Sequence, residues 1–165
     1  MLSVGDSAPD FSVPIAGGEV YNDIDSFTLG EALGDGPIVL AFIPAAFTSG
    51  CTTEMCTFRD SMHRFDAIDA QVYGVSVDLA PALNIFIQQE NLNFPMLSDW
   101  RHEVIHDYGV VLPDFYGLIE VAKRSIFVLD STGTVTYRWV EGEGKTDFGA
   151  AIDAVYDAVA ETVSA

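Results

Sequence analysis

The two cysteines of the chain, Cys51 and Cys56, are the residues whose type and spacing first indicate chemistry. They follow a Thr-Ser-Gly stretch, residues 48–50, which comes soon after the apolar run IVLAFIP. A thiolate is a nucleophile, a metal ligand and a redox centre. The pair therefore predicts a redox site, a metal site, or small apolar side chains that fill the core.

A long amphipathic helix is predicted to begin at the first cysteine. Apolar residues recur at steps of three and four, namely Cys51, Met55, Phe58, Met62, Phe65 and Ile68. Residues 48–50 supply capping groups just before it. Cys51 is then in the first turn and faces inward, where unpaired N–H groups and the helix dipole favour a thiolate. The alternative is a cysteine that only packs in the core.

The spacing of the cysteines restricts how they can pair. In an intact helix, residues five apart are displaced by roughly 7.5 Å along the axis and by roughly 140° around it. A disulfide needs Cα atoms within about 7 Å and converging side chains. Cys51 and Cys56 can therefore bond only if the first turn unwinds. Otherwise Cys56 is a passenger thiol beside the apolar stripe.

An arginine near Cys51 would stabilise a thiolate. Arg124 begins the segment KRSIFVLD, a predicted strand that could lie beside IVLAFIP, although an exposed charge at the strand end is equally compatible with the spacing. The other four arginines lie too far along the helix or have no clear path to the site: Arg59, Arg64, Arg101 and Arg138.

The order of predicted elements is a hairpin followed by β-α-β-α-β-α-β-β-α. The hairpin is DFSVPI and EVYND around Gly17-Gly18, and SFTLGEAL follows as a short helical turn. The predicted strands are IVLAFIP, QVYGVSVD, FPMLSD, KRSIFVLD and TVTYRWVE; the later helices are PALNIFIQQEN, WRHEVIHDYG and DFGAAIDAVYDAVAETV; and VVLPDFYGLIE is a looser loop. Alternating strands and helices predict an α/β fold, a central mixed sheet covered by helices on both faces. Its site is expected beyond the carboxyl end of IVLAFIP.

Composition limits the partners. The 165 residues are expected to form one domain, 1–165, and the net charge of −18 argues against nucleic acid and anionic membranes. Few lysines and many acids predict a halophilic protein from a salt-rich cytoplasm, because molar salt screens repulsion beyond about 3 Å. An ordinary acidic protein is the alternative. The N-terminus shows no signal-peptide pattern, which predicts a cytoplasmic, reducing setting.

The segment around the cysteines resembles a known signature. Pro44, Thr48 and Cys51 match the Pro-x-x-x-Thr-x-x-Cys motif of the peroxiredoxins. Further likeness covers about residues 3–160, in the stretches VGDSAPDF, VYGVSVD, NFPMLSD, HDYGV and RSIFVLDSTGTVTYRWV. The resemblance implies a thioredoxin-like fold with an N-terminal hairpin extension. It also implies an antioxidant thiol peroxidase that reduces hydrogen peroxide and organic hydroperoxides without a metal or organic cofactor.

The resemblance also implies roles for single residues. Cys51 would be the peroxidatic cysteine, Thr48 a hydrogen-bonding partner of thiolate and peroxide, Pro44 a shield over the site, and Arg124 the activating arginine. Glu54 would orient an arginine or be a first-turn acid favoured by the helix dipole. Gly50 supports the helix start as one of the capping residues named above.

Two branches of the family fit the second cysteine. In the bacterioferritin-comigratory branch, a cysteine five residues on resolves the sulfenic acid within one chain, which is the role implied for Cys56. In a one-cysteine branch, an outside thiol does so. The implied partners are a peroxide, a thioredoxin-like protein or low-molecular-weight thiol as reductant, and a second copy in a homodimer or larger homo-oligomer.

Other functions compete with this one. The segment HEVIH, with His102, Glu103 and His106, formally matches a zinc-protease motif, but only His63 remains as a third histidine. A thioredoxin-fold metal carrier would use both cysteines and a histidine. A thiol oxidoreductase without peroxidase activity would be expected to have Cys-x-x-Cys.

Overall fold

The structure, a computed structural model, describes residues 1–19 and 22–164. The strands are β1 Ser12–Ala16, β2 Ile24–Thr28, β3 Ile38–Phe42, β4 Gln71–Ser76, β5 Met96–Ser98, β6 Val111–Phe115, β7 Leu118–Ala122, β8 Ser125–Leu129 and β9 Val135–Val140. The helices are α1 Leu29–Ala32, α2 Ser49–Asp66, α3 Ala80–Glu90, α4 Glu103–Asp107 and α5 Phe148–Ser164.

Seven strands form one mixed sheet in the order β2-β1-β5-β4-β3-β8-β9. The central strands β3, β4 and β5 run parallel, which the intervening helices α2 and α3 make possible. The outer strands β1, β2, β8 and β9 are antiparallel to their neighbours. The predicted α/β fold with an N-terminal hairpin is therefore confirmed.

The central strand β3 explains why the run IVLAFIP is continuously apolar. Val39 and Ala41 face a core shared with α2, α3 and α5. Their neighbours Leu40 and Phe42 face a second core shared with α1 and α4. Because successive side chains of a strand point to opposite faces, a strand covered on both sides needs apolar residues throughout.

The N-terminal elements differ in position from the prediction. The first hairpin strand is found, but its partner is β2 (Ile24–Thr28) rather than EVYND, whose residues 20 and 21 lie outside the described part. Three residues of the predicted helical turn SFTLGEAL extend this strand instead, because Phe27 packs against Phe11 and Tyr73. Only Leu29–Ala32 is helical.

Two other segments were predicted wrongly. The looser loop VVLPDFYGLIE is the two-stranded hairpin β6–β7, closed at Tyr116 and Gly117, which both have positive φ, as a tight hairpin turn requires. Pro113 had concealed the strand pattern. Helix α4 is shorter than WRHEVIHDYG, because the Asp99 carboxylate accepts the N–H groups of Val104 and Ile105 and so fixes a later start.

The strand register determines which residues can meet at the site. Strand β8 lies antiparallel to β3, with Ser125 opposite Phe42. Arg124 therefore stands at the carboxyl end of β3, where the chain turns into α2. This is the edge at which ligands bind in open α/β sheets, as the sequence predicts.

Candidate active site

The loop from β3 to α2 is held by polar contacts with the end of β4. The N–H of Ala46 donates to Asp78 Oδ2 at 2.9 Å, and the Ser76 hydroxyl donates to the same oxygen at 2.8 Å. Phe47 has a φ of 66° and lays its ring edge-to-face on Phe86, with 5.2 Å between ring centroids. The loop is thus anchored on both sides before the helix begins.

Thr48 is the residue at which the loop becomes helix. Its backbone is extended, and its carbonyl accepts the N–H of Thr52 at 2.9 Å. Its hydroxyl donates to the Ala45 carbonyl at 2.7 Å and makes no cap bond. Since a carbonyl can only accept, the Thr48 hydroxyl must be the donor, and its oxygen keeps lone pairs that can accept a hydrogen bond from a ligand. Pro44 is buried four residues earlier.

Cys51 is the third residue of α2 and is completely buried. The helix begins at Ser49, so Ser49 and Gly50 lie within the first turn and do not cap it as the sequence suggested. The N–H groups of a first turn have no partner in their own helix. They can therefore stabilise negative charge near the Cys51 sulfur.

Arg124 is buried against the start of α2, with 7 % of its side chain exposed. Its Nη1 donates to Glu54 Oε2 at 2.7 Å, its Nε lies 3.1 Å from Glu141 Oε1, and its Cζ is 5.4 Å from the Phe148 ring centroid. Burial alone would lower the pKa of Arg124, but the charges of Cys51 and Glu54 and its hydrogen bonds to both raise it. The guanidinium is therefore a permanent cation beside the thiol.

Glu54 is also completely buried, one turn beyond Cys51. Burial raises the pKa of Glu54 to about 7, against the opposing effect of the Arg124 charge and hydrogen bond, and Glu141 raises it further. Its Oε1 has no hydrogen-bond partner in the described residues. One guanidinium is thus shared by three acidic groups: Cys51, Glu54 and Glu141.

Cys56 lies in the same helix, partly buried, and both cysteines are free thiols. Its Sγ lies 3.5 Å from Glu90 Oε2, and the guanidinium of Arg59 donates to the Glu90 carbonyl at 2.6 Å. Burial raises the pKa of Cys56; Arg59 opposes this, and the hydrogen bond and charge of Glu90 add to it. Cys56 is therefore held as a protonated thiol while α2 is intact.

The chain is similar to known proteins in both sequence and fold. The pattern of the AhpC/TSA family matches residues 4–138. Peroxiredoxin Bcp of Escherichia coli is 37% identical over 138 residues, which cover 82% of this chain and 84% of that protein. The chain belongs to the AhpC/TSA family, the peroxiredoxins.

Solved structures agree with this membership. Peroxidoxin BcpB from Mycobacterium tuberculosis superimposes with a TM-score of 0.83 at 29% identity, and the match covers 98% of each chain. Xanthomonas campestris bacterioferritin comigratory protein, whose alkyl peroxide reduction activity was studied, gives a TM-score of 0.77 at 26% identity over 93% and 92% of the chains. This peroxiredoxin is accordingly a thiol peroxidase with the family's thioredoxin-like fold.

The fold places Arg124 at the site and the other four arginines elsewhere. Arg124 is not an exposed strand-end charge but a buried partner of the α2 start. The other four make contacts elsewhere: Arg59 with Asp60, Arg64 with Asp153, Arg101 with the Trp100 ring, and Arg138 with the Leu2 carbonyl.

The structure does not place the two histidines of HEVIH on one helix, as the zinc-protease motif requires. His102 precedes α4 and contacts the Glu120 carbonyl, and His106 contacts the Glu120 carboxylate. Across residues 1–19 and 22–164, no three His, Cys, Asp or Glu side chains are grouped to hold a metal ion. No helix in that part of the chain is long and apolar enough to cross a membrane.

The sequence analysis did not identify three residues of the site: Asp78, Glu141 and Phe148. Asp78 is the last residue of the segment QVYGVSVD, and a carboxylate at the carboxyl end of a central strand is a signal that could have been used. Glu141 directly follows β9, and the pairing of Ser125 with Val140 carries it to Arg124. Phe148 is in the first turn of a helix whose docking the spacing does not define.

Proposed function

We propose that Cys51 is the peroxidatic cysteine of this thiol peroxidase. The single observation that carries the proposal is the burial of Arg124 beside Cys51 at the start of α2. The Cys51 thiolate attacks one peroxide oxygen and the O–O bond breaks. The other oxygen leaves and takes up a proton, equal to the one that the thiol released on ionising, as water or an alcohol. Sulfur is oxidised to a sulfenic acid and the peroxide is reduced.

The neighbouring groups stabilise the charge that moves during this step. Arg124 and the first-turn N–H groups face the negative charge as it passes from sulfur to the leaving oxygen. The Thr48 oxygen accepts the peroxide O–H, because its own proton is committed to Ala45. Buried Pro44 keeps water from the sulfur, and Glu54 orients Arg124 through their 2.7 Å hydrogen bond. Gly50 leaves room for the guanidinium, since a Cβ there would lie 3.2 Å from Arg124 Nη2.

Cys56 is the proposed resolving cysteine. Its thiol condenses with the Cys51 sulfenic acid, a disulfide forms and water leaves. Both residues lie in an intact α2, so this step requires the first turns of the helix to unwind. A thioredoxin-like protein or a low-molecular-weight thiol then reduces the disulfide by exchange.

A second route remains a candidate because Cys56 is held by Glu90. If α2 stays folded, an external thiol reduces the sulfenic acid directly, as in a one-cysteine enzyme.

The setting of the enzyme is also a proposal. Residues 1–165 would act as one domain in a salt-rich cytoplasm. Phe47, half exposed beside the site, would contribute to a homodimer surface. Nucleic acid and membranes are not proposed as partners, given the charge of −18.

Intact mass measured after one equivalent of hydrogen peroxide tests these assignments. The reduced protein, Cys51→Ser and Cys56→Ser are compared at high salt. Loss of about two mass units from the wild type within one chain is expected for the internal disulfide. Cys56→Ser should instead gain about sixteen units as a sulfenic acid.

The variants separate the two routes and the role of Cys51. If the wild type also gains about sixteen units with no disulfide, the external route is correct. If Cys51→Ser consumes peroxide as fast as the wild type, Cys51 is not the peroxidatic residue.

A further inference from the structure

Arg124 is tied to a segment that has no assigned part in the reaction, residues 141–148. The segment joins β9 to α5, and its two end residues, Glu141 and Phe148, contact the buried guanidinium. Glu141 follows the last residue of β9, and its N–H donates to the Arg124 carbonyl at 3.1 Å. The main chains of the two residues are thus joined across the β8–β9 pair, at the edge of the sheet that carries the site.

The Glu141 side chain is fixed between two partners. Its Oε1 lies 3.1 Å from Arg124 Nε, while its Oε2 accepts the Thr146 hydroxyl at 2.6 Å. The Arg124 Nε makes no hydrogen bond within the described residues, so the contact with Glu141 is an ion pair. A carboxylate anchored by a hydroxyl holds a cation in one place, because it cannot swing away without breaking its second bond.

The contacts of Arg124 approach it from different directions. Glu54 binds Nη1 from α2, Glu141 meets Nε from the end of β9, and the Phe148 ring lies over Cζ from α5. The hydrogen-bonding partners of Arg124, namely Glu54 and Cys51, both belong to α2. Glu141 adds an ion pair at a different nitrogen and from a different element, and this second contact opposes rotation of the planar guanidinium.

We propose that Glu141 is a positioning residue for peroxide reduction, which acts by holding the Arg124 guanidinium in the orientation that meets the leaving oxygen. Thr146 supports it by fixing the carboxylate. Glu141 itself touches neither sulfur nor peroxide. The proposal rests on the assigned roles of Cys51 and Arg124.

If Glu141 acted only through its charge, its loss would not slow the reaction of Cys51. Removing an anion beside Arg124 leaves more of the guanidinium's positive charge for the Cys51 thiolate, so any reaction that needs only a thiolate should stay equal or become faster. If Glu141 instead positions Arg124, its replacement lowers the rate of the peroxide reaction but not that of alkylation. Only peroxide has a leaving oxygen that Arg124 must meet. The two roles therefore differ in sign.

The experiment measures two reactions of Cys51 in the Cys56→Ser background, where Cys51 is the only thiol. One is single-turnover oxidation by hydrogen peroxide, and the other is alkylation by iodoacetamide, each followed across pH. Glu141→Gln keeps the shape and an acceptor oxygen for Thr146. Glu143→Gln, an exposed glutamate two residues away, is the matched control.

We expect Glu141→Gln to reduce the peroxide rate constant by about tenfold, without reducing alkylation, since a small misplacement of a catalytic group costs this much or more. Thr146→Val should produce a smaller loss of the same kind, and it serves as the second variant if Glu141→Gln does not fold. Glu143→Gln should match the parent in both reactions.

An unchanged ratio of the two rate constants in both Glu141→Gln and Thr146→Val would overturn the positioning role. Failure of the proposed function looks different. If Cys51→Ser still reduces peroxide, the assignment of Cys51 is wrong, whatever the ratio in the Glu141 variant.

Discussion

At the scale of single residues, the shared cation Arg124 sets most of the properties of the site. Three acidic groups, Cys51, Glu54 and Glu141, surround one guanidinium. Three anions around one cation in a buried place are unfavourable, so one group tends to keep its proton. Because its pKa is raised to about 7, Glu54 is the group that keeps its proton up to neutral pH.

The first prediction concerns the pH dependence of stability. Below about pH 4.5, Glu54 is protonated in the folded and unfolded chain alike. Between there and about pH 7, only the unfolded chain releases the proton, so stability falls as pH rises. Glu54→Gln lacks this loss. Its melting temperature relative to the wild type should increase from pH 5 to 7 and then level off.

The expected change corresponds to a free energy on the order of 3 kcal/mol. Melting followed by circular dichroism at constant salt measures it. Because both proteins share every other acidic group, the difference isolates Glu54, and Glu161→Gln on the exposed face of α5 serves as the control. A difference that stays flat with pH would contradict the buried protonation.

The second prediction uses Gly50, which has no side chain where Arg124 approaches. A Cβ there would stand 3.2 Å from Arg124 Nη2, so Gly50→Ala should displace the guanidinium by a few tenths of an ångström. We expect peroxide oxidation of Cys51 to slow several-fold. The melting temperature should not fall, since alanine favours a helix more than glycine does.

Stopped-flow oxidation of Cys51 measures this effect. Gly142→Ala is the matched control, because a Cβ at that position would meet nothing within 4 Å. If both variants react like the wild type, Gly50 does not control the position of Arg124.

At the scale of elements, α2 carries both cysteines and has two different ends. Its first turn carries Cys51, while the stretch from Cys56 to Arg59 is fastened to the end of α3 by the contacts of these two residues with Glu90. Unwinding that brings the cysteines together must break the first of these contacts.

The third prediction tests how Glu90 acts on Cys56. In Cys51→Ser, Cys56 is the only thiol. The pH at which its alkylation rate is half of the maximum reports its ionisation. Burial and Glu90 raise the pKa of Cys56, so Glu90→Gln should move this pH to a lower value. The measurement is the rate of iodoacetamide alkylation between pH 6 and 10.

A control separates the local effect from general charge. Glu103→Gln removes one negative charge from α4 and should leave the profile of Cys56 unchanged. If Glu90→Gln also leaves it unchanged, the 3.5 Å contact does not hold the proton on Cys56.

The elements also show what the sequence could and could not reveal. The apolar stripe placed Cys51 correctly at the buried start of α2, and the run IVLAFIP identified a strand between two cores. The pairing of β8 with β3 depends on contacts between residues far apart in the chain. The burial of Arg124 beside α2 therefore could not be predicted from spacing alone. The position of Glu141 beside Arg124 likewise depends on the pairing of β9 with β8, which the sequence spacing does not define. The β6–β7 hairpin was missed because Pro113 interrupts its pattern.

At the scale of the whole molecule, charge dominates. The formal net charge is −18, with seven basic residues against twenty-five acidic ones. The surface ion pairs, such as Arg64 with Asp153, are half exposed and contribute little. Mutual repulsion of the acidic surface is therefore the larger long-range term.

The fourth prediction follows from this balance. Raising KCl from about 0.1 to 2 M shortens the screening length from about 10 Å to less than 3 Å. The melting temperature should rise, because repulsion is screened more than the few surface pairs are weakened. The same titration near pH 4, where many carboxylates are protonated, should give a much smaller rise. Equal or lower stability in high salt at pH 7 would contradict a halophilic protein.

The different exposure of the two thiols determines what cysteine-tagging experiments would detect when this protein is oxidised in cells. Cys51 has no exposed surface, whereas Cys56 is partly accessible. Redox proteomics commonly tags cysteines with bulky maleimide probes before digestion. On the folded protein such a probe would report the state of Cys56 and miss Cys51, the proposed peroxidatic cysteine. Denaturation before tagging, or a small membrane-permeant reagent, is needed to count both.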